Sequence, residues 1–452
     1  MNPSTRVSGR ANVMKESQES NKYDIIIIGS GISGLYAAYN IKKMSPKTSF
    51  LILEKYKKKW IGGRTSNELF YGTEIVTGAG IGRKKKDKLL HKLLDELDLD
   101  TSDFITKPYY SNMFQPLDVK KVIDYLRSEY KKYKGPPIIF KTFAKGVLGE
   151  KTYKQFLLSV GYTDFENEDV YDTLYSYGMD DNYCCLKGFT VPWRKMVMKL
   201  ADEIGANHFK FSSNVSNIRK VNPETQVVGF QPTDVQLTSP APGWNANPCE
   251  FIIDTESGKK YTCNKIIIAT TITGIRKLLH HPIYNDIEGQ PFLRLYGKFS
   301  KKSIPIMKDY VKGYTCLPGP LQKIIPINPD NGIYMIAYND NNNTLALKNN
   351  LKNTKENREL YCELIEKSLG IPSNSLDIIA IKDFYWPIGT HYYKPLDISS
   401  YKDRKEFIDI AQHPEKGILV VGEVVSKNQG WTEGALDSVR TVLTKKWINS
   451  LC

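Results

Sequence analysis

Long apolar runs, cysteine frameworks and zinc-type motifs are all missing from this sequence. No segment approaches the ~20 consecutive apolar residues that a membrane-spanning helix needs, and residues 1–22 are polar, without the apolar core of a secretory signal. The 7 cysteines are odd in number and irregularly spaced, which argues against a disulfide framework. We therefore expect a protein of the cytoplasm or another reducing intracellular compartment, not secreted, with no transmembrane segment, no metal site and a disordered arm at 1–22.

Acidic residues are outnumbered in the chain. Its 63 Lys and Arg stand against 49 Asp and Glu, which gives a formal net charge of +14, and the excess lies in short runs at 55–59, 83–88 and 131–134. Such runs usually form solvated faces, and a second interpretation is attraction of an acidic partner to the basic surface. Because aromatic residues do not alternate with the basic ones, the composition argues against nucleic acid as a partner.

The first motif in the chain is a strand, a glycine turn and a helix. Residues 23–28 form a buried-strand pattern, the turn reads Gly-Ser-Gly-Ile-Ser-Gly at 29–34, and a helical pattern follows at 35–44. These glycines permit a tight turn, close approach of a pyrophosphate and packing of the helix on the strand. Glu54 ends the next strand pattern, at the spacing where an acid accepts hydrogen bonds from a ribose. The residues expected to bind a dinucleotide here are Gly29, Ser30, Gly31, Ile32, Ser33, Gly34, Glu54 and Lys55.

NAD and FAD both fit this first motif, and two later glycine segments favour FAD. Adjacent glycines at 62 and 63 let the backbone approach a second stretch of ligand, and Arg64 offers a fixed positive fork for a pyrophosphate or a backbone carbonyl. Residues 78–81 are again small, which suits contact with a broad flat ring. The residues expected at FAD from these segments are Gly62, Gly63, Arg64, Gly78, Ala79, Gly80 and Ile81.

A second strand, glycine turn and helix pattern lies at residues 417–443. FAD is too long for one βαβ unit, so a second helix N-terminus would meet its flavin end and stabilise the negative charge of the reduced ring. In this interpretation Glu423 bonds a ribose or ribityl hydroxyl. The residues expected at the cofactor here are Gly422, Glu423, Gly430, Trp431, Thr432 and Ala435.

The order of these motifs resembles the flavin-containing amine oxidase family, which includes monoamine, polyamine and L-amino-acid oxidases. The resemblance is carried by residues 29–64 and 422–435. It implies an α/β fold in which a doubly wound FAD-binding domain, Rossmann-like and of the glutathione-reductase type, carries an inserted α+β substrate domain. The FAD-binding domain would comprise 23–100, 186–290 and 408–452, and the substrate domain 101–185 and 291–407. FAD would be bound non-covalently, because no cysteine lies between residues 362 and 452, where some relatives attach it.

The resemblance also implies roles for residues outside the glycine motifs. Val215 takes the place where relatives contact the adenine, and Trp431 takes that of an aromatic wall beside the flavin. The facing wall falls to Trp386 and, by a Gly-x-aromatic pattern, to His391, or to Tyr392 if the register slips by one. Such walls guide an amine by attraction worth ~0.5 to 2 kcal/mol. Ordinary packing is the competing interpretation for Trp386, His391 and Tyr392.

At two positions the sequence departs from the family. Many relatives hold a lysine near the flavin, in the strand that here reads Pro-Phe-Leu-Arg-Leu-Tyr-Gly-Lys from residue 291. Strand register puts Arg294 at that place and Lys298 two side-chain alternations further along. Gly80 stands where some relatives have an aromatic residue. Because arginine is a permanently charged fork and lysine a tunable point donor, the exchange bears on turnover.

Together these features predict an enzyme that oxidatively deaminates a primary or secondary amine, with FAD as cofactor, oxygen as acceptor and peroxide as product. Two alternatives stay open: a desaturase or isomerase that uses another acceptor, and a binding or structural protein that kept the fold but lost turnover. The basic surface favours acidic substrates. A polyamine would need an acidic entrance that the sequence does not identify, and an amino acid would need an arginine such as Arg83 or Arg294.

Weaker patterns between the motifs predict further elements. Helical patterns cover 119–133, 153–160, 194–204 and 351–369. Strand patterns cover 227–230, 250–253 and 265–268, with a surface loop at 232–248.

Overall fold

The computed structural model describes residues 21–182, 186–221 and 250–450. Residues 1–20 of the expected arm, the strand expected at 227–230 and the loop expected at 232–248 lie outside them, and Lys22 already begins the first strand. Within the described residues, none of the helices combines the length and the apolar character that crossing a membrane requires. The same residues contain no group of His, Cys, Asp and Glu side chains that could hold a metal ion.

Strands and helices alternate at the start of the chain, and long strands dominate residues 250–393. The strands are β1 (Lys22–Ile28), β2 (Phe50–Leu53), β3 (Asn67–Phe70), β4 (Thr73–Val76), β5 (Gly82–Arg83), β6 (Asp103–Thr106), β7 (Tyr109–Tyr110), β8 (Leu186–Phe189), β9 (Phe209–Lys210), β10 (Val215–Val221), β11 (Glu250–Thr255), β12 (Lys260–Ile268), β13 (Ile287–Phe299), β14 (Thr315–Cys316), β15 (Lys323–Asn328), β16 (Ile333–Asp340), β17 (Ile378–Tyr393) and β18 (Ile418–Val420). The helices are α1 (Ile32–Met44), α2 (Lys88–Glu96), α3 (Val119–Tyr130), α4 (Phe140–Leu148), α5 (Glu150–Val160), α6 (Val170–Tyr175), α7 (Trp193–Ile204), α8 (Ile272–Leu279), α9 (Ser303–Tyr310), α10 (Asn341–Leu347), α11 (Lys355–Leu369), α12 (Arg404–Gln412), α13 (Thr432–Val442) and α14 (Lys445–Asn449).

A largely parallel sheet carries the glycine turns. Its order is β10-β11-β12-β1-β2-β9, with β18 beside β12, and β1 pairs in parallel with both β2 and β12. Helices α1, α7 and α13 cover one face and α8 and α12 the other. Burial on both faces is why these strands are continuous apolar runs. Because β1 and β18 both run parallel to β12, the turns that follow them leave the sheet at the same edge.

A second sheet has the order β17-β13-β16-β15-β14-β7 and is antiparallel at its centre. Strand β13 has 13 residues and β17 has 16, and they pair along nearly their whole length. One face packs on α9 and α11 through an apolar core. The opposite face turns Arg294 and Tyr296 toward residues 76–80.

Helices α3 to α6 pack around a separate aromatic core that includes Phe140, Phe156 and Phe165. This helical unit is attached to the end of β17, where the backbone N–H of Asp169 donates to the carbonyl of Tyr393 at 3.0 Å. Residues just before α6 therefore lie next to the long strands of the second sheet.

Several elements differ from the sequence prediction at their ends. Helix α11 begins at Lys355 rather than 351, because the Thr354 hydroxyl accepts from the N–H of Asn357 and caps it. Helix α3 ends at Tyr130 rather than 133. Helix α13 begins at Thr432 rather than at residue 434, where the sequence pattern predicts its start. The domain boundary expected between 290 and 291 falls inside β13, so a single strand runs through it.

Candidate functional site

Two glycine turns meet at the end of β1. The N–H of Gly62 donates to the carbonyl of Ser30 at 2.9 Å, and Gly31 and Gly62 form a parallel bridge. A Cβ at Gly34 would lie 2.0 Å from the carbonyl oxygen of Gly29, so α1 packs on β1 only because residue 34 lacks a side chain. A Cβ at Gly31 would meet no heavy atom within 4 Å. The turn thus borders open space where the sequence predicts a pyrophosphate.

Glu54 lies beside the same turn and is 7% exposed. One of its oxygens accepts from the N–H and the hydroxyl of Ser30, at 2.8 and 2.7 Å, and the other accepts from the N–H of Tyr56 at 2.8 Å. These bonds fix the carboxylate at the end of β2 and leave lone pairs for a further donor, as a ribose contact requires. The neighbouring Lys55 is exposed, with its ammonium 5.4 Å from the Tyr56 ring centroid. Val215 is buried at the start of β10.

A buried carboxylate joins the second glycine turn to the C-terminal one. Arg64 Nη1 donates to Glu423 Oε1 at 3.0 Å and to the carbonyl of Gly389 at 2.6 Å. His391 Nδ1 lies 2.9 Å from Glu423 Oε2, and its Nε2 accepts from the N–H of Ile272, at the start of α8, at 3.2 Å. Because Nε2 accepts, the ring proton is on Nδ1 and is donated to Glu423. Burial acts to raise the pKa of Glu423, but His391 and Arg64 outweigh it and hold that pKa below its usual value.

The structure shows how the ring of His391 is held, while its role as a wall facing Trp431 stays a prediction. The His391 side chain is 0% exposed, and both of its ring nitrogens are engaged by Glu423 and α8. His391 therefore links the C-terminal turn to α8, and it also lines the cavity beside that turn. Tyr392, the alternative in the register, is half-buried and lines a cavity beside the turn.

Four side chains hold residues 76–80 by their carbonyl oxygens, and we call these residues the clamped segment. The Tyr296 hydroxyl donates to the carbonyl of residue 76 at 2.7 Å, and Trp386 Nε1 to that of residue 77 at 2.8 Å. Arg294 Nε donates to the carbonyl of residue 78 at 2.5 Å, and Trp193 Nε1 to that of residue 80 at 3.2 Å. Three of these donors belong to the second sheet, so that sheet positions the loop that follows β4.

Arg294, at the place of the family lysine, is 4% exposed. Its guanidinium carbon lies 4.4 Å from the ring centroid of Tyr338 and its Nη1 lies 3.5 Å from Met335 Sδ. The structure thus brings Arg294 to the clamped segment. It does not bring Lys298 there: this ammonium donates to the carbonyl of Asn331 at the far end of β13.

Trp431 stands at the N-terminus of α13 with one face covered. The guanidinium carbon of Arg83 lies 3.7 Å from its ring centroid, and Arg83 is paired with Asp87 at 2.7 Å. Arg83 is therefore engaged, contrary to the expectation that it is a candidate for a substrate carboxylate. The guanidinium of Arg83 therefore covers one face of the indole.

Sequence reasoning missed the role of Glu433 in the same motif. Its carboxylate accepts from the N–H groups of Leu89 and Leu90 at 2.8 and 2.9 Å, at the start of α2. Burial raises the pKa of Glu433, against these two hydrogen bonds. The free N–H groups of a helix start need such acceptors, but nothing in the sequence shows that an acid over 300 residues away supplies them.

Sequence reasoning also missed a cavity beside the C-terminal turn. Its lining includes Asp164, Glu168, Gln290, Thr390 and Gly430. Burial, reinforced by the charge of Asp340, raises the pKa of Asp164 to about 7. Burial likewise raises the pKa of Glu168 well above its usual value. No motif marks these residues, because they come from separate parts of the chain.

Lys323 is a further unpredicted feature, near Asp164 and Asp340. Its side chain is 0% exposed, and its Nζ has no hydrogen-bond partner among the residues that the structure describes. The Nζ lies 2.9 Å from the ring centroid of Tyr162 and 4.0 Å from that of Tyr338. Burial lowers the pKa of Lys323 to about 7, although Asp340 acts to raise it.

Comparisons with known proteins agree with this architecture. Residues 27–97 match the family model of the NAD(P)-binding Rossmann-like domain. An uncharacterized protein of Acanthamoeba polyphaga mimivirus is 22% identical in an alignment of 492 positions, gaps included, that covers 93% of each chain. A double variant of putrescine oxidase with redesigned cofactor binding superposes with a TM-score of 0.68 at 14% identity, covering 93% of this chain and 98% of that one. Wild-type putrescine oxidase bound to putrescine gives a TM-score of 0.67 at 13% identity, with the same coverage. The chain therefore has the fold of a flavin amine oxidase, which confirms the α/β fold class predicted from the order of its glycine motifs.

Proposed function

We propose that this protein is an FAD-dependent oxidoreductase that oxidatively deaminates a primary or secondary amine. Two electrons and a proton leave the C–H bond next to nitrogen, water hydrolyses the resulting imine, and oxygen takes the electrons to give peroxide. The observation that carries the proposal is that three turns far apart in sequence, at 29–34, 62–64 and 422–423, form one hydrogen-bonded site. A mononucleotide-length ligand would need only the first of them.

The residues at this site fit FAD. The open space at Gly31 suits a pyrophosphate, and the fixed carboxylate of Glu54 suits the adenosine ribose. Arg64 and Glu423 would hold the middle of the cofactor, and the first N–H groups of α13, at Thr432, would face the flavin end. Within β17, Gly389 is followed by Thr390 and His391, where a covalent link to FAD would need a cysteine. We therefore propose non-covalent binding.

Bound FAD would supply the hydride acceptor, and the chain would supply everything that positions the amine. Four side chains hold the backbone of the clamped segment, which would define its position beside the cofactor. The free face of Trp431 offers one aromatic surface to the amine. The likeness of the fold to that of putrescine oxidase supports an amine as the substrate.

A binding or structural role without turnover is a second candidate, and Arg294 favours it. Its guanidinium is committed to the clamped segment and to Tyr338, so it lacks the mobility of a lysine that positions water. If the protein binds FAD but no amine reduces it, Arg294→Lys tests this candidate, because gain of turnover in that variant would identify residue 294 as the cause.

The visible absorption spectrum of the purified protein is the first test. Oxidised-flavin bands that bleach when an amine is added without oxygen, and return with peroxide when oxygen is admitted, are the expected result. Bleaching without peroxide would move the assignment to a desaturase or another dehydrogenase. A colourless protein that takes up no added FAD would overturn the proposal.

A further inference from the structure

Two glutamines that line the cavity beside the C-terminal turn have buried side-chain oxygens that accept no hydrogen bond from the described residues. Gln290 is 4% exposed, and its side-chain N–H₂ donates to the carbonyl of Asp164 at 2.8 Å and to the Thr390 hydroxyl at 3.1 Å. Because a backbone carbonyl can only accept, these bonds fix which end of the amide is nitrogen. The other end, Gln290 Oε1, is buried and has no hydrogen-bond partner among the described residues.

A second glutamine repeats this arrangement. The side-chain N–H₂ of Gln429 donates to the carbonyl of Val424 at 3.0 Å, so its Oε1 is also identified as an acceptor. That oxygen too is buried without a partner within the part of the chain that the structure describes. Both glutamines line the same cavity. An unpaired buried acceptor costs about 1–3 kcal/mol, so two in one cavity call for a donor.

Two carboxyl groups line the cavity with these oxygens. Glu168 accepts from the Thr173 hydroxyl at 2.9 Å, and Asp164 accepts from the Tyr177 hydroxyl. Among the described residues, no basic side chain forms an ion pair with Asp164 or Glu168, and Lys427, the basic residue of the cavity lining, is exposed. Burial raises the pKa of both acids, reinforced by Asp340 at Asp164 and by Asp172 at Glu168, and Lys323 offsets it only in part at Asp164.

We propose that this cavity binds the ammonium group of an amine, through Asp164, Gln290 Oε1 and Gln429 Oε1. An ammonium has three N–H donors and one positive charge, which matches two neutral acceptors and one carboxylate. The enclosed volume is about 20 Å³, so the cavity admits an ammonium group alone, and the alkyl part of a ligand would lie in the open mouth. The cavity adjoins Gly430, next to Trp431, so it lies beside the proposed flavin site. The cavity would thus supply the acidic site that an amine needs in a chain whose overall composition is basic.

The identity of the ligand as an amine rests on the proposed function, but its binding does not depend on turnover. The probe is tert-butylammonium, which has no hydrogen on the carbon next to nitrogen and so resists oxidation. Its neutral isostere tert-butanol and potassium chloride are the comparison ligands. Titration calorimetry of the full-length protein gives the affinities. Repeating it at pH 7 in buffers of different ionisation enthalpy measures proton release.

We expect tert-butylammonium to bind with release of protons, because a bound cation favours the ionised form of Asp164. The groups around that carboxyl are Tyr177 on its own unit, Asp340 on β16, Lys323 on β15 and Glu168 in the cavity. Asp164→Asn, which keeps the size and the Tyr177 bond, is expected to lower the affinity by about 10- to 100-fold and abolish the proton release. Gln429→Met should lower it by about fivefold. Asp180→Asn, on the exposed surface of the same unit, is the matched control and should change neither.

Equal affinity of the native protein and Asp164→Asn would overturn the proposal, as would equal binding of tert-butanol or displacement of the amine by potassium at similar concentration. If Asp164→Asn fails to fold, Gln429→Met decides. Binding that depends on Asp164, in a protein whose flavin no amine reduces, would retain this site and reject the proposed function. If amines bleach the flavin equally in the native protein and in both variants, the proposed function would be retained and this ammonium site rejected.

Discussion

The guanidinium of Arg294 lies where a side chain on residue 80 would have to be. A Cβ added to Gly80 would be 3.0 Å from Arg294 Nη2, closer than ordinary van der Waals contact. The two departures from the family pattern, Arg294 and Gly80, are therefore linked, because the arginine side chain occupies the space beside the glycine. A large cation on β13 takes the space, and the clamped segment has a glycine opposite it.

This exchange predicts that the two positions are energetically coupled. Gly80→Ala should lower the unfolding free energy by about 1–2 kcal/mol in the native background, because the methyl group displaces the guanidinium. In the Arg294→Lys background the same change should cost less, with a coupling of about 1 kcal/mol. Denaturant unfolding of the four proteins measures it. Gly146→Ala in α4 is the control, since its Cβ meets no atom within 4 Å. Additive effects at 80 and 294 would contradict the prediction.

The open space at Gly31 predicts a variant that folds but loses cofactor. Gly31 has φ −67°, which any residue adopts, so Gly31→Val should leave the unfolding free energy of the apoprotein within about 0.5 kcal/mol. We expect FAD affinity to fall at least tenfold, because the side chain enters the space of the pyrophosphate. Flavin absorbance after equilibrium dialysis measures the loss. Gly34→Ala is the contrasting variant, which should fail to fold stably. Full FAD occupancy in Gly31→Val would place the cofactor elsewhere.

Glu423→Gln should reveal the contribution of the carboxylate to stability. Its folded-state pKa is lowered, so its stabilisation is present above the unfolded value of 4.5 and is lost as pH falls below it. We expect the variant to lose about 3 kcal/mol at pH 7, because Arg64 and His391 lose a buried partner. Unfolding between pH 3 and 7 tests the sign: the native protein should weaken toward low pH more steeply than the variant. Glu415→Gln, in an exposed pair with Lys220, should behave like the native protein.

Lys323 should make stability rise with pH in the alkaline range. Its pKa is about 7 when folded and 10.5 when unfolded, so the unfolded chain binds more protons between these values. The unfolding free energy therefore increases with pH across that window, and Lys323→Met should flatten the increase. Urea unfolding at pH 7, 8 and 9 measures the slope. Lys308→Met, at an exposed pair with Asp330, should retain the native slope. An unchanged slope in Lys323→Met would show that the ammonium stays charged.

The parts of the fold set by local pattern could be predicted from sequence, and the parts set by contacts across the chain could not. The turn at 29–34 was predictable, because strand, glycines, helix and Glu54 occur within one short stretch. His391 was placed by its spacing from Gly389, but its neighbours Glu423 and Ile272 belong to other elements. Asp164 and Gln290 meet only because β13 and the helical unit pack together. Their residue types carry no pattern that would single them out.

The clamped segment would couple the binding of the cofactor to the binding of the amine. Side chains of the second sheet hold three of its carbonyls, and the N–H of Ala79 donates to the carbonyl of Arg64 in the second glycine turn. A ligand that stiffens the segment from either side lowers the ordering cost for the other, so cofactor and amine should show positive cooperativity. By thermodynamic reciprocity, each would raise the affinity of the other by the same factor.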